Sequence, residues 1–158
     1  MADLMDGDDQ MGEITLVFTD EDVTEFKIDY VMDVDPGCGS DCFFAIYDGI
    51  SCDDKGDKYF GTEENPWNDA DSTFGASSGG AAAGVMTIDA GKDYGDIHCT
   101  VMVVYGPPPD SGSKSKSRRN LKKSKEGPDV LMCGVLKKDG FDGSCKSTKK
   151  SKSRRNRN

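Results

Sequence analysis

Short stretches in which apolar and polar residues alternate recur along the chain, separated by turns rich in glycine, aspartate and proline. A period of two is typical of a β-strand with one buried face. Seven segments fit this pattern or its fully apolar variant: Glu13–Thr19, Phe26–Val34, Cys42–Tyr47, Thr73–Ser77, Gly84–Asp89, Thr100–Tyr105 and Val130–Leu136. No stretch has a helical period of useful length. The pattern predicts an all-β domain, a Greek-key sandwich or flattened barrel.

The alternation also assigns one face of most segments to a core. Thr100–Tyr105 is almost continuously apolar, which predicts a strand buried on both faces. Thr73–Ser77 and Gly84–Asp89 flank a Ser-Gly-Gly turn and are predicted to form a hairpin. The core-face candidates are Ile14, Leu16, Phe18, Ile28, Tyr30, Met32, Phe44, Ile46, Val85, Thr87, Met102, Val104 and Leu131. A one-residue slip would exchange the faces of a strand, so each assignment depends on register.

Composition divides the chain into parts. Residues 1–12 are acidic and poor in β-branched residues, and they are predicted to be a disordered leader. Residues 13–137 hold all seven segments and form the predicted β domain. Within it, residues 106–128 contain three consecutive prolines and then a Lys/Ser/Arg tract, which cannot bury enough apolar surface to fold alone. Residues 138–158 are predicted to be a disordered basic tail.

Charge is unevenly distributed along the chain, whose formal net charge is −9. Residues 1–113 carry 25 acidic and 4 basic side chains, whereas residues 114–158 carry 4 acidic and 16 basic ones. The heptapeptide Lys-Ser-Lys-Ser-Arg-Arg-Asn occurs at 114–120 and again at 150–156. Either these copies bind a polyanion or an anionic surface, or they are solvated, solubilising segments. The polyanion-binding candidates are Lys114, Lys116, Arg118, Arg119, Lys150, Lys152, Arg154 and Arg155.

Six cysteines without a Cys-x-x-Cys pair favour disulfides over a zinc ribbon. Cys38 and Cys42 are close enough in sequence for a local disulfide across the loop that enters the third segment. The apolar runs, of about six residues at most, are too short to span a membrane, and the first residues lack the pattern of a signal peptide. We expect no membrane span, and we expect a disulfide-permissive or extracellular compartment if the sequence begins inside a longer chain.

Three stretches together resemble the copper/zinc superoxide dismutase family. They are Cys42-Phe-Phe-Ala-Ile-Tyr-Asp-Gly-Ile-Ser-Cys52, Val101-Met-Val-Val-Tyr105 and Leu131-Met-Cys-Gly-Val-Leu136. The cysteines, the glycine and the apolar frame of the family stand at matching spacing, and the resemblance covers roughly residues 13–137. It implies the Greek-key fold of that family with about seven strands here, because the first family strand is apparently missing. An edge opened in this way would allow edge-strand homo-oligomers.

The resemblance also implies that the family's metal site is absent. The copper-ligand positions fall on Ala45, Tyr47 and Tyr105, and the whole chain has a single histidine, His98. Alanine offers no donor atom, and copper that cycles between oxidation states is held by imidazoles in that family. The other metal-binding histidines of the family would fall in an acidic loop without histidine. The resemblance therefore implies no catalytic residues and no copper or zinc cofactor.

The family's bridging cysteines correspond to Cys52 and Cys133, so the resemblance implies a disulfide between them. Cys99 and Cys145 then remain, paired with each other or free. The expected function is that of a catalytically inactive, superoxide dismutase-like domain, a structural or binding module whose basic segments meet polyanionic partners. The alternative is a metal-binding protein of the dismutase group, active in superoxide metabolism, with copper or zinc at an altered, non-family site.

Overall fold

Eight strands and short 3-10 turns, among them Pro66–Asn68, make up the regular structure of the described residues. The computed structural model describes residues 1–20, 24–34, 42–68, 72–92, 95–107, 128–141 and 143–145. The strands are β1 (Ala2–Asp6), β2 (Asp9–Phe18), β3 (Glu25–Asp33), β4 (Cys42–Tyr47), β5 (Thr73–Phe74), β6 (Ala81–Asp89), β7 (Val101–Tyr105) and β8 (Val130–Val135).

The strands form one sheet with the order β5-β4-β7-β8-β1-β2-β3-β6, and every neighbouring pair is antiparallel. This sheet curls into a nearly closed barrel, which confirms the prediction of an all-β domain. None of the helical structure among the described residues is long and apolar enough to cross a membrane.

The prediction of a disordered leader at residues 1–12, and with it that of a missing first strand, is wrong. β1 and β2 form a hairpin through Gly7, whose φ of 61° suits glycine in a tight turn. β1 also lies beside β8, where Met5 pairs with Cys133. Only Ala2 and Leu4 of β1 are buried, and two small contributions to the core leave little trace in the sequence pattern.

The predicted hairpin between Thr73–Ser77 and Gly84–Asp89 is also wrong. β5 pairs with β4 and β6 pairs with β3, so the two strands lie at opposite ends of the sheet order. The turn between them does exist, since the Ser77 amide donates to the Ala81 carbonyl at 2.9 Å. The turn reverses the chain, but β5 and β6 do not pair with each other after it.

Most core-face candidates lie inside the barrel. The buried ones are Ile14, Ile28, Tyr30, Met32, Phe44, Ile46, Met102 and Val104, while Leu16, Phe18 and Leu131 are partly buried. The exceptions are on β6, where Val85 is 61% exposed and Thr87 is exposed. Ala82 and Ile88 face inward in their place, so the predicted face was off by one residue.

A second buried layer lies outside the barrel, over β4, β7 and β8. All five residues of β7 are buried, as the continuous apolar run predicts. The connection between β4 and β5 covers this outer face, anchored by Trp67, which is 1% exposed. The indole nitrogen of Trp67 donates to the Tyr59 carbonyl at 2.9 Å. This loop is the element that positions the site described next.

The folded part of the chain continues past residue 137, where the basic tail was predicted to begin. A disulfide between Cys99 and Cys145 ties the following residues to the start of β7. The Lys137 amide donates to the Met1 carbonyl at 2.9 Å, which joins this segment to β1 as well. The prediction of disorder from residue 138 is therefore wrong for 138–141 and 143–145, and the rest of the tail lies outside the described residues.

Candidate functional site: a tyrosine pair under a lysine

The positions that the resemblance assigns to copper lie on the outer face of β4 and β7. In the pairing of these strands, Tyr47 lies opposite Val101, Ala45 opposite Val103, and Phe43 opposite Tyr105. The two tyrosines therefore stand on one face with the fully buried Ala45 between them. Because alanine ends at Cβ, the long tyrosine side chains can meet above it.

The two tyrosines are joined by a hydrogen bond between their phenol oxygens, 2.7 Å apart. Their ring centroids are 6.4 Å apart, and Phe43 stacks on the Tyr105 ring at 5.0 Å and 17°. Tyr105 is 7% exposed, whereas Tyr47 is half-buried. The structure thus brings together all three predicted positions in a packed aromatic cluster.

Lys55 lies over this pair, with its Nζ atom 5.7 Å from the Tyr47 ring centroid and 5.6 Å from that of Tyr105. Both distances fall within the range of a cation–π interaction. The loop that holds the lysine is tied at its base, where the Gly49 amide donates to the Lys55 carbonyl at 2.6 Å. The Asp57 amide donates to Asp48 Oδ1 at 2.7 Å, and Gly56 has a φ of 73° that suits glycine.

The surroundings of Tyr105 favour its neutral phenol. Burial raises the pKa of Tyr105 far above that of a free phenol, and the hydrogen bond with Tyr47 raises it further. Nearby, Lys58 pairs with Tyr47 in an isolated β-bridge, and burial lowers the pKa of its amine. A phenol that keeps its proton is a poor metal ligand, because metals bind the deprotonated form of oxygen and sulfur ligands.

No three or more histidine, cysteine, aspartate or glutamate side chains come close enough to hold a metal ion in the part of the chain that the structure describes. The acidic residues of the β4–β5 loop therefore do not converge there on a common centre. The alternative of copper or zinc at a non-family site finds no cluster of such donors in that part of the chain.

The loop is fixed to the barrel by the Cys52–Cys133 disulfide that the resemblance implies, with its Cα atoms 5.9 Å apart. Cys133 is 5% exposed and pairs with Val103 across β7 and β8, next to the tyrosine cluster. Cys42 is disulfide-bonded too. Cys38, its predicted partner, lies outside the described residues.

His98 has a local role that the sequence did not reveal. Its Nδ1 atom accepts a hydrogen bond from the Lys138 amide at 3.3 Å, and its Nε2 atom lies 3.4 Å from Cys99 Sγ. Phe141 packs edge-on against the imidazole, with centroids 4.5 Å apart. Cys99 itself adopts a φ of 65°, which is uncommon for a residue with a side chain. His98 thus connects the Cys99–Cys145 disulfide to the segment that follows β8.

The predicted polyanion-binding residues all fall outside the described residues. They are Lys114, Lys116, Arg118, Arg119, Lys150, Lys152, Arg154 and Arg155. The chain matches no protein-family model, and no curated protein matches it either.

Proposed function

We propose that this chain is a non-catalytic domain of the copper/zinc superoxide dismutase type that serves as a structural or binding module. The observation that carries the proposal is the hydrogen bond between Tyr47 and Tyr105 at the positions assigned to copper ligands. Two phenols bonded to each other, with a lysine above them, supply neither the imidazoles nor the open coordination that copper redox chemistry requires.

The arrangement around the tyrosines supports this assignment. The pair lies on the outside of an antiparallel barrel, beneath a long loop that a disulfide ties to the last strand. By the resemblance, that disulfide corresponds to the family's disulfide, and the two tyrosines correspond to copper-ligand positions. Retention of the frame with loss of the donors is what a former enzyme that now serves another role would leave.

A gain-of-function experiment tests both the family and the lost site. The triple variant Ala45→His, Tyr47→His and Tyr105→His restores imidazoles at the three positions. We expect it to bind about one copper ion per chain, whereas the unmodified oxidised protein binds none at stoichiometric level and consumes no superoxide above background. A control with histidines at the exposed positions Val17, Val31 and Val130 measures adventitious binding, because these positions lie on three different strands and are not cross-strand partners.

The outcomes separate the alternatives. If the unmodified protein contains stoichiometric copper or zinc and consumes superoxide, the proposal is wrong. The alternative, a metal-binding protein of the dismutase group with an altered metal site, would then be favoured. Equal copper binding by the triple variant and the control would show that the three positions do not correspond to the family's copper site.

The binding role is assigned to the Lys/Ser/Arg segments. Their chemistry suits a polyanion or an anionic surface, and affinity that arises from released counterions falls steeply with salt. We expect adsorption to heparin that weakens at least tenfold between 50 and 200 mM salt, by the same principle. Replacing the eight predicted lysines and arginines with serine should abolish it, and binding that survives this change would contradict the assignment.

The two disulfides described are consistent with a disulfide-permissive compartment. An extracellular location is part of the proposal. Such a location would place the basic segments where anionic surfaces and polymers outside the cell are accessible to them.

A further inference from the structure

The outer edge of β6 carries backbone groups that no other described strand uses. At one end of β6 the Gly80 carbonyl accepts from the Val34 amide at 2.8 Å, and at the other the Ala90 amide donates to the Thr24 carbonyl at 3.2 Å. The backbone groups of alternate residues point in opposite directions in a strand. The N–H and C=O groups of even-numbered residues of β6 therefore point toward β3, and those of odd-numbered residues point away from it.

Three consecutive odd-numbered residues, Ala83, Val85 and Thr87, form the open part of this edge. Their side chains are exposed, and their outward N–H and C=O groups form no hydrogen bond with any residue that the structure describes. From Ala81 to Ile88 the strand contains no charged residue and no proline. Natural edge strands usually carry such residues to prevent pairing, so this edge is suited to accept another strand.

The surface beside the open edge is acidic. On the outward face, Asp29 lies opposite Val85, and Glu25 lies opposite Asp89. Asp33 lies opposite Ala81, and Lys27 is the one basic residue of β3 or β6. An added strand with cations on its outward face would therefore meet complementary charge.

We propose that this edge binds the C-terminal heptapeptide of the chain, Lys150–Asn156, as an added β-strand. Its first five residues alternate, so Lys150, Lys152 and Arg154 share one face of an extended strand, and Ser151, Ser153 and Arg155 share the other. Placed beside β6, the first three cations lie along the acidic face, and the two serines and Arg155 lie on the opposite face. Seven residues are enough to span the three open positions.

A second copy of β6 fits the edge less well. Antiparallel pairing of two β6 strands about Val85 would bring the acidic rows of two barrels to the same surface, and each barrel belongs to a segment with a large negative charge. Like charges brought close across strands are destabilising. The heptapeptide offers the same main-chain pairing with the opposite charge.

The experiment uses the full-length chain with serine in place of the lysines and arginines of both heptapeptide copies, so that neither copy competes. The replaced residues are Lys114, Lys116, Arg118, Arg119, Lys150, Lys152, Arg154 and Arg155. A synthetic peptide of residues 146–158 is added, and amide hydrogen exchange is followed by NMR. We expect the amides of Ala83, Val85 and Thr87 to exchange at least tenfold more slowly with saturating peptide at 50 mM salt. A control peptide that is N-methylated at every backbone nitrogen from residue 150 to residue 155 keeps every charge but cannot donate to the ladder, and we expect it to protect none of them.

Variants of Val85 identify the occupant. Val85→Pro removes an outward N–H without touching the bonds to β3, and it should abolish peptide binding. Should that variant fail to fold, Val85→Lys provides the same test, because it repels the basic peptide and should weaken its binding at least fivefold. Val85→Glu should bind the peptide at least as tightly as the parent protein.

Three results would overturn the proposal. The N-methylated control peptide could protect the same amides equally, which would show that charge alone causes the protection. The peptide could protect other strands instead of β6. Finally, the unmodified chain could self-associate in a way that the peptide does not inhibit and that Val85→Glu abolishes. That result would show that the edge binds the β6 strand of a second copy.

Discussion

Removing the hydroxyl of Tyr47 should destabilise the protein more than removing the hydroxyl of Tyr105, although Tyr105 is the more buried residue. Tyr47→Phe leaves the phenol of Tyr105, a residue only 7% exposed, without the partner that lies 2.7 Å away. An unsatisfied buried hydroxyl costs about 1–3 kcal/mol. Tyr105→Phe leaves the hydroxyl of the half-buried Tyr47, which water can reach, so the loss should be about 0.5–1.5 kcal/mol.

The double variant decides whether the hydrogen bond is responsible. With both hydroxyls gone, no polar group is left without a partner, so the double variant should cost less than the two single variants together, by about 1 kcal/mol or more. The measurement is guanidinium unfolding of the oxidised protein, followed by tryptophan fluorescence from Trp67. Tyr30→Phe is the matched control, because Tyr30 lies inside the barrel against Phe44 and Phe74.

The cycle of Tyr47 with Tyr30 should be additive within about 0.5 kcal/mol. If the cycle of Tyr47 with Tyr105 is equally additive, the phenol pair does not act as a unit and the reasoning fails. A larger loss for Tyr105→Phe than for Tyr47→Phe would likewise contradict the assignment of the more buried hydroxyl.

Three further predictions concern stability and redox behaviour. Replacing both Cys52 and Cys133 with alanine should lower the free energy of unfolding by about 4.5 kcal/mol, because the chain-entropy estimate gives this value for their separation of 81 residues. Chemical denaturation measures the loss. A loss under about 1 kcal/mol would contradict the chain-entropy account. Stability should fall above about pH 10, because burial raises the pKa values of Tyr105 and Tyr30 in the folded chain and unfolding then releases protons. Tyr105 contributes at most about 1.4 kcal/mol per pH unit to the slope, and the slope should decrease by up to that amount in Tyr105→Phe. Under a limiting thiol such as dithiothreitol, the Cys52–Cys133 disulfide should open before Cys99–Cys145, because Cys52 is exposed to the attacking thiolate whereas Cys99 and Cys145 are only partly exposed. Alkylation and peptide mapping give the order, and the reverse order would refute this reasoning.

The sequence predicted those strands best whose alternation was built from large side chains. On β3, Phe26, Ile28, Tyr30 and Met32 all face inward as their spacing requires. β6 offers three alanines and a glycine in its first half, so the alternation there carries little information on which face is buried. Gly84 faces the Tyr30 ring, where a Cβ atom would lie only 2.7 Å from the phenol oxygen. The inward face of β6 is therefore chosen by a large neighbour on β3, which no local pattern on β6 can show.

The sequence predicted where the candidate site lies, but it did not predict that Tyr47 and Tyr105 contact each other. Apolar residues on both faces of β7 require a second layer outside the barrel, and the sequence shows that requirement without showing what supplies it. Tyr47 and Tyr105 are not opposite each other, since their cross-strand partners are Val101 and Phe43. They meet because Ala45 leaves room between them and because the loop places Lys55 above both rings. Both conditions depend on the three-dimensional structure: the barrel sets the directions of the tyrosine side chains, and the disulfide holds the loop that carries Lys55. A local sequence pattern therefore cannot predict the hydrogen bond.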